Sequence, residues 1–275
     1  MNTTLPHLRC VALASLLQLL LYAPLMAEPP ESTGEKNAAE FSPPPKLSRP
    51  LRVAIYEGAG SQDSGIRDVE NGVKLLTGAT IERLSATAFG ERDLAEFDEV
   101  VFSAGGATAQ ARAIGDDGRA KVRQFVQRGG GYLGICAGAY LACAEFDWGL
   151  KLIAAETLSD RWERGVATVE MRLTPSGQQV LGAVEAPVRV AYENGPVIGP
   201  IEYEGMSAYR TLATFTTEVA ENGSPAGIMT GSPALAEARF GKGRVMIFSP
   251  HPERTPGLER IVPLALTRLG AATKE

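Results

Sequence analysis

The sequence predicts an α/β fold: a mostly parallel sheet covered by helices on both faces, with extra β segments toward the C-terminus. Three observations carry this prediction. Between Leu51 and Tyr140, short apolar runs alternate with stretches whose apolar residues recur every three or four positions. That alternation is the pattern of buried parallel strands joined by amphipathic helices. One run ends in a glycine-hinged junction, Gly129-Gly130-Gly131-Tyr132-Leu133-Gly134-Ile135-Cys136-Ala137-Gly138-Ala139-Tyr140. Beyond it the texture changes to β-like segments, the last two flanking the turn Gly241-Lys242-Gly243.

The N-terminus has the layout of a signal peptide over residues 1–27. Arg9 supplies a positive region, Val11 to Leu21 a mostly apolar stretch, and Ala23-Pro24-Leu25-Met26-Ala27 small residues for cleavage before Glu28. The apolar stretch falls short of the ~20 residues that span a bilayer, so no stable membrane span is expected after cleavage. The implied location is the periplasm or the exterior. Residues 28–50 are rich in Pro, Glu, Ser and Ala with no apolar period, which reads as a flexible tether. Order is expected to begin at Leu51 and to run to residue 275 as one domain.

Leu51–Tyr56 reads as the first strand, and Ile66, Val69, Val73 and Leu76 as the apolar stripe of a helix. Thr80–Leu84 is the next strand, Leu94 and Phe97 mark a turn of helix, and Glu99–Ser103 is a buried strand ending at Gly105-Gly106. Val122, Phe125 and Val126 share one face of a helix over Gly118–Arg128, and Ala137–Cys143 is the helix after the glycine hinge. Downstream, strands are expected at Val166–Leu173, Val188–Tyr192, Arg210–Thr216, Ala226–Met229, Ala236–Phe240 and Arg244–Phe248. A final helix is expected over Leu258–Leu269.

The chemistry concentrates in two short strings. Gly134-Ile135-Cys136-Ala137-Gly138 has the form of a nucleophile elbow with sulfur in place of hydroxyl. Such a turn sets Cys136 at a helix N-terminus, where free amide N–H groups and the helix dipole favour a negative sulfur. His251 is the only histidine outside the extreme N-terminus, and Glu253 follows two residues later in Ser249-Pro250-His251-Pro252-Glu253. A strand end can hold both near the carboxyl edge of a sheet, where open α/β sheets build sites. This points to Cys136 as nucleophile, His251 as general base and acid, and Glu253 as the group that orients the imidazole. The blander alternatives are tight packing at the elbow and a Pro-fixed capping turn at His-Pro-Glu. The N–H of Ala137, next after the nucleophile, is a candidate oxyanion donor.

The paired strings resemble the class I glutamine amidotransferases, whose fold is flavodoxin-like. Gly134-Ile135-Cys136-Ala137-Gly138-Ala139-Tyr140 with Ser249-Pro250-His251-Pro252-Glu253 is similar to the N-terminal domain of some biotin–protein ligases and its stand-alone relatives. The resemblance covers roughly Arg52 to the C-terminus. It implies a second oxyanion donor at the glycine pair after the third strand, most naturally the N–H of Gly106. Glutaminases of the class usually carry Gln four residues after the nucleophile, whereas this chain has Tyr140. Glutamine is therefore not the expected substrate, and no ligase domain follows.

Glu57, Tyr140, Tyr192 and Asn194 fall in or beside loops at the same expected sheet edge and are candidate substrate contacts, with solvated loop as the alternative. Ser159-Asp160-Arg161-Trp162-Glu163-Arg164 sets a tryptophan between arginines, which suits an acidic or planar ligand or an exposed ion-paired turn. The formal charge of −5 gives no basic footprint for nucleic acid. The single usable histidine argues against a zinc site, no phosphate loop is present, and no cofactor is expected. On one helix Cys136 and Cys143 would lie roughly 10 Å apart, beyond disulfide reach. The sequence thus reads as an exported, cysteine-dependent, amidase-like hydrolase acting on a small-molecule or peptide amide. The rival is a non-catalytic binding module on the same fold.

Overall fold

A computed structural model describes residue 41, residues 43–44, and residues 46–270 apart from 183 and 185. The expected signal peptide and most of the expected tether lie outside the described residues.

The first half of the domain is built from β1 (Leu51–Tyr56), α1 (Asp63–Val73), β2 (Ala79–Leu84), α2 (Ala86–Glu91), β3 (Glu99–Phe102), α3 (Ala107–Gln127), β4 (Gly131–Ile135) and α4 (Ala137–Ala142). Then come β5 (Ala155–Thr157), β6 (Val166–Leu173), α5 (Pro175–Leu181), β7 (Val188–Glu193), β8 (Ile198–Pro200), β9 (Arg210–Phe215), β10 (Pro233–Phe240), β11 (Gly243–Phe248) and α6 (Ile261–Gly270). Nine strands form one sheet in the order β2-β1-β3-β4-β11-β10-β9-β6-β7, while β5 and β8 pair separately. The first five of that order are parallel. From β11 onward each neighbour is antiparallel.

The period of two along the central strands explains why helices cover both faces. Val53 and Ile55 point into one apolar cluster together with Ile66 and Val69 of α1 and Leu266 of α6. Ala54 and Tyr56 point into the other, with Phe89 of α2, Val122 and Phe125 of α3, and Leu141 of α4. Each fully buried Leu, Ile, Val or Phe contributes about 1.5–3 kcal/mol, so a parallel strand that is apolar at every position must be sandwiched. Phe102 stacks on Tyr56 at 5.1 Å between ring centres and on Tyr132 at 5.9 Å, which ties three adjacent parallel strands together.

Several elements differ from the sequence expectation. Ala226–Met229 is turn and bend, not strand. α3 begins at Ala107 rather than Gly118 and is broken at Gly115, whose φ is 65°. Two short helices without a long apolar stripe were not anticipated. Each is started by a hydroxyl cap: Ser85 accepts from the Ala88 N–H in α2, and Thr174 accepts from the Gly177 N–H in α5. The packed unit also reaches behind residue 50. Phe41 is buried in the core, its carbonyl accepts from Arg260 at 2.7 Å, and Arg49 pairs with Asp98 at 2.6 Å. The end of the Pro-rich segment is thus held by specific contacts that its composition concealed.

Candidate catalytic site

The elbow exists because three backbone segments crowd together. A Cβ at Gly138 would lie 2.0 Å from the Phe102 carbonyl oxygen, and one at Gly134 would lie 2.4 Å from the Gly138 oxygen. Only glycine on either side of Cys136 lets α4 press against β3 and β4. Cys136 takes up the resulting strain, with φ 52° and ψ −100°, a conformation costly for a residue with a side chain and concentrated at functional sites.

His251 lies just past β11, the strand beside β4, so both residues sit at the carboxyl edge of the sheet. Its main chain is fixed by donating to the Ala191 carbonyl at 2.8 Å, and its own carbonyl accepts from the Thr255 hydroxyl at 2.6 Å. The imidazole is 1 % exposed, and its Nδ1 lies 2.6 Å from Glu253 Oε1, also fully buried. Pro252 and a single turn of 3-10 helix over Pro252–Arg254 bring the carboxylate back under the ring. Burial disfavours the imidazolium, but Cys136 and Glu253 outweigh that penalty and raise the His251 pKa to about 10. The thiol is aligned elsewhere: Cys136 Sγ donates to the Glu193 carbonyl at 3.4 Å, and His251 Nε2 has no hydrogen-bond partner.

A pocket of about 120 Å³ joins these groups, lined by Cys136, His251, Gln62, Gly105, Tyr140 and Asn194 among others. The glycine pair does not offer the N–H expected from it. Gly106 N–H is already given to the Gly60 carbonyl at 2.8 Å, and Gln62 N–H to the Ala104 carbonyl at 3.0 Å. These two bonds flank Ser61 and Gly105 as a non-hydrogen-bonded antiparallel pair. The Gly105 N–H therefore points away from Ser61, and Gly105, not Gly106, lines the pocket. Glycine is required there: φ is 133°, and a Cβ would meet the Gly60 oxygen at 1.9 Å. Ala137 opens α4, where the first amide N–H groups have no intrahelical partner.

The candidate contacts divide. Tyr140 and Asn194 line the pocket, and the Tyr140 hydroxyl donates to the Asn194 carbonyl at 3.1 Å. Tyr192 does not line it; its ring is in the core and its hydroxyl donates to the Gly195 carbonyl at 2.7 Å, supporting the loop that carries Asn194. Glu57 does not line it either and pairs with Arg83 at 3.0 Å. Glu193, next to Asn194, also lines the pocket; Gln62 was missed, since neither its residue type nor its spacing marks it. The arginine–tryptophan stretch is not an exposed ion-paired turn. Trp162 packs against Tyr140 and Phe146 at 5.2 and 5.3 Å between ring centres. Arg164 is 1 % exposed and donates to the Val219 and Pro225 carbonyls. Cys143 is free and buried, its thiol pKa pushed well up by that burial. Among the described residues no cluster of His, Cys, Asp and Glu could hold a metal ion, and no helix is long and apolar enough to cross a membrane.

Residues 51–162 match the family model of the biotin-protein ligase N-terminal domain. No curated protein matches the chain. Among solved structures, a glutamine amidotransferase from Thermotoga maritima superposes with a TM-score of 0.53 at 15 % identity, covering 82 % of this chain and 99 % of its own. A ThuA-like protein from Bacteroides uniformis gives 0.52 at 15 % identity, covering 82 % and 95 %. The fold is thus glutamine amidotransferase-like, with additional antiparallel strands after the parallel sheet.

Proposed function

We propose that the protein is an exported cysteine-dependent hydrolase of amide bonds, with Cys136, His251 and Glu253 as its triad. The observation that carries this reading is the buried 2.6 Å contact between His251 and Glu253 beside a strained cysteine in one shared pocket. A merely structural turn needs neither the buried carboxylate nor the strain.

The chemistry runs as follows. The Cys136 thiol passes its proton to His251 Nε2, the sulfur adds as thiolate to the carbonyl carbon, and the N–H groups of Ala137 and Gly105 receive the developing oxyanion. His251, kept protonated at neutral pH by its raised pKa, gives its Nε2 proton to the departing amine as the C–N bond breaks. A thioester on Cys136 remains. Water adds to it, yielding a proton to His251, and the carboxylic acid leaves as the thiolate is restored. Glu253 keeps the imidazole in one tautomer throughout.

A binding module is the second reading, favoured by the Tyr140–Asn194 hydrogen bond across a pocket of only about 120 Å³. The deciding experiment incubates purified protein with a panel of acyl-amide and peptide-amide probes and looks by mass spectrometry for an acyl adduct on Cys136. An adduct that turns over in the protein and is lost in both Cys136→Ala and His251→Ala supports the hydrolase. Stoichiometric probe binding with no adduct and no product in any variant supports the module. Free glutamine should release little or no ammonia, because Tyr140 occupies the position of the glutaminase glutamine. For export, N-terminal sequencing of secreted or periplasmic protein should start near Glu28; a retained Met1 would refute it.

A further inference from the structure

At the amino edge of the sheet, opposite Cys136, four arginines gather around one carboxylate. Arg210 begins β9, Arg239 lies near the end of β10, Arg244 is near the start of β11, and Arg268 is in the last turn of α6. Strand registers force the gathering, since Glu237 pairs with Arg210 on one side and Arg239 with Arg244 on the other. Glu237 is buried and accepts from Arg210 and, at 2.9 Å, from Arg268, while Arg244 Nη1 stands 3.6 Å away. Together with Ser207 and Ala208 these residues line a pocket of about 280 Å³.

Several other arginines of the surface are matched to carboxylates. Arg83 meets Glu57, Asp63 and Glu70, Arg92 meets Glu82 and Glu96, and Arg254 meets Glu193. The pocket reverses that ratio, with four guanidinium groups to one carboxylate, in a chain that has more acidic than basic residues. Arg244 bears the consequence. Its side chain is 12 % exposed, its Nε is buried without a hydrogen-bond partner, and burial together with Arg268 and Arg239 depresses its pKa. Concentrating like charges in a partly desolvated cleft is costly unless an anion completes it, and guanidinium forks match the oxygens of a phosphoryl group.

We propose that this cleft binds a phosphoryl group, as free phosphate or diphosphate, or as the headgroup of an anionic phospholipid. Glu237 is the internal template that holds the arginines apart and in place, and the anion supplies the missing charge. The site lies at the other end of the strands from the cysteine pocket, so it does not depend on the hydrolase reading.

The test is isothermal titration of the full chain with inorganic diphosphate at constant ionic strength set by sodium chloride. Saturable binding is expected, weakened at least tenfold in Arg239→Gln and in Arg244→Gln. Arg239 is exposed, so its variant remains informative if Arg244→Gln fails to fold. A second arm sediments the protein with phosphatidylglycerol vesicles against phosphatidylcholine vesicles. Diphosphate binding without vesicle binding identifies a soluble ligand, and arginine-dependent vesicle binding alone identifies the lipid headgroup. Failure of both arms, or binding that sodium chloride matches and that Arg239→Gln leaves unchanged, overturns the proposal.

Discussion

The parallel half of the sheet and its antiparallel extension contribute to the same pocket in different ways. The parallel half supplies the parts of the proposed chemistry: Cys136 at the end of β4, Gly105 after β3 and His251 after β11. The extension closes the pocket: Glu193 ends β7 and takes the thiol on its carbonyl, and Asn194 takes the Tyr140 hydroxyl. The proposed reactive geometry is built on doubly covered strands. Access is built on an edge strand whose last residues lean on the His251 loop through the Ala191–His251 bridge. The difference teaches that substitutions in the first half should act on turnover and those in the second on entry and stability.

The strongest break of that division comes from the triad. Cys136→Ala and His251→Ala should each lower turnover by at least about 10³-fold, the scale at which nucleophile and base losses act, with far-ultraviolet circular dichroism unchanged. The double variant should be no worse than either single one, because residues that act as one unit do not add. Multiplying losses would show that the two do not share a step. Glu253→Gln keeps the size of the side chain and should cost less, about 10–100-fold, since Pro252 and the His251 main-chain bonds still hold the imidazole. A loss as large as that of His251→Ala would mean that charge, not orientation, is what Glu253 provides.

Legibility followed the same boundary. The inner strands of the parallel half were readable because they are mostly apolar on both faces, and the elbow because close backbone approach leaves only glycine possible at 134 and 138. The meeting of Cys136 and His251 at one pocket was readable because one cysteine and one histidine stood in recognisable turns. Gly106, the expected oxyanion donor, has its N–H bonded to Gly60 while Gly105 lines the pocket, a distinction hidden because the two are the same residue type. Gln62 was invisible because it is set beside the pocket by main-chain register, which leaves no mark in composition. Trp162 and Arg164 were misjudged because charge suggested solvent, whereas Trp162 packs against the aromatic rings of Tyr140 and Phe146 and Arg164 is held by the Val219 and Pro225 carbonyls.

A smaller effect should appear in stability against pH. The His251 pKa is raised to about 10 in the folded protein, above its ordinary value near 6.5. Its contribution to stability is therefore fully present below about pH 6.5 and is lost as pH rises through about 10. Thermal melting followed from pH 6 to 10 should show a fall that is attenuated in His251→Asn. A parallel fall in both proteins would assign the slope to other groups and remove the support for a charged imidazole in the resting site.

The smallest predicted effect isolates the closure that the extension provides. Tyr140→Phe removes one hydroxyl and keeps the ring against Trp162. The lost bond to the Asn194 carbonyl is worth about 0.5–1.5 kcal/mol, or about 2–4 °C per kcal/mol in melting temperature for a domain of this size. If that bond holds the pocket shut, iodoacetamide should alkylate Cys136 a few-fold faster in the variant, while Cys143, buried beneath α4 against the Ala139 carbonyl, stays unlabelled in both. A lower melting temperature with no change in the Cys136 rate would mean that the hydroxyl braces the loop without gating it. Access would then be set by the Glu193 carbonyl that holds the sulfur, and the division between a reactive half and a closing half would narrow to that single contact.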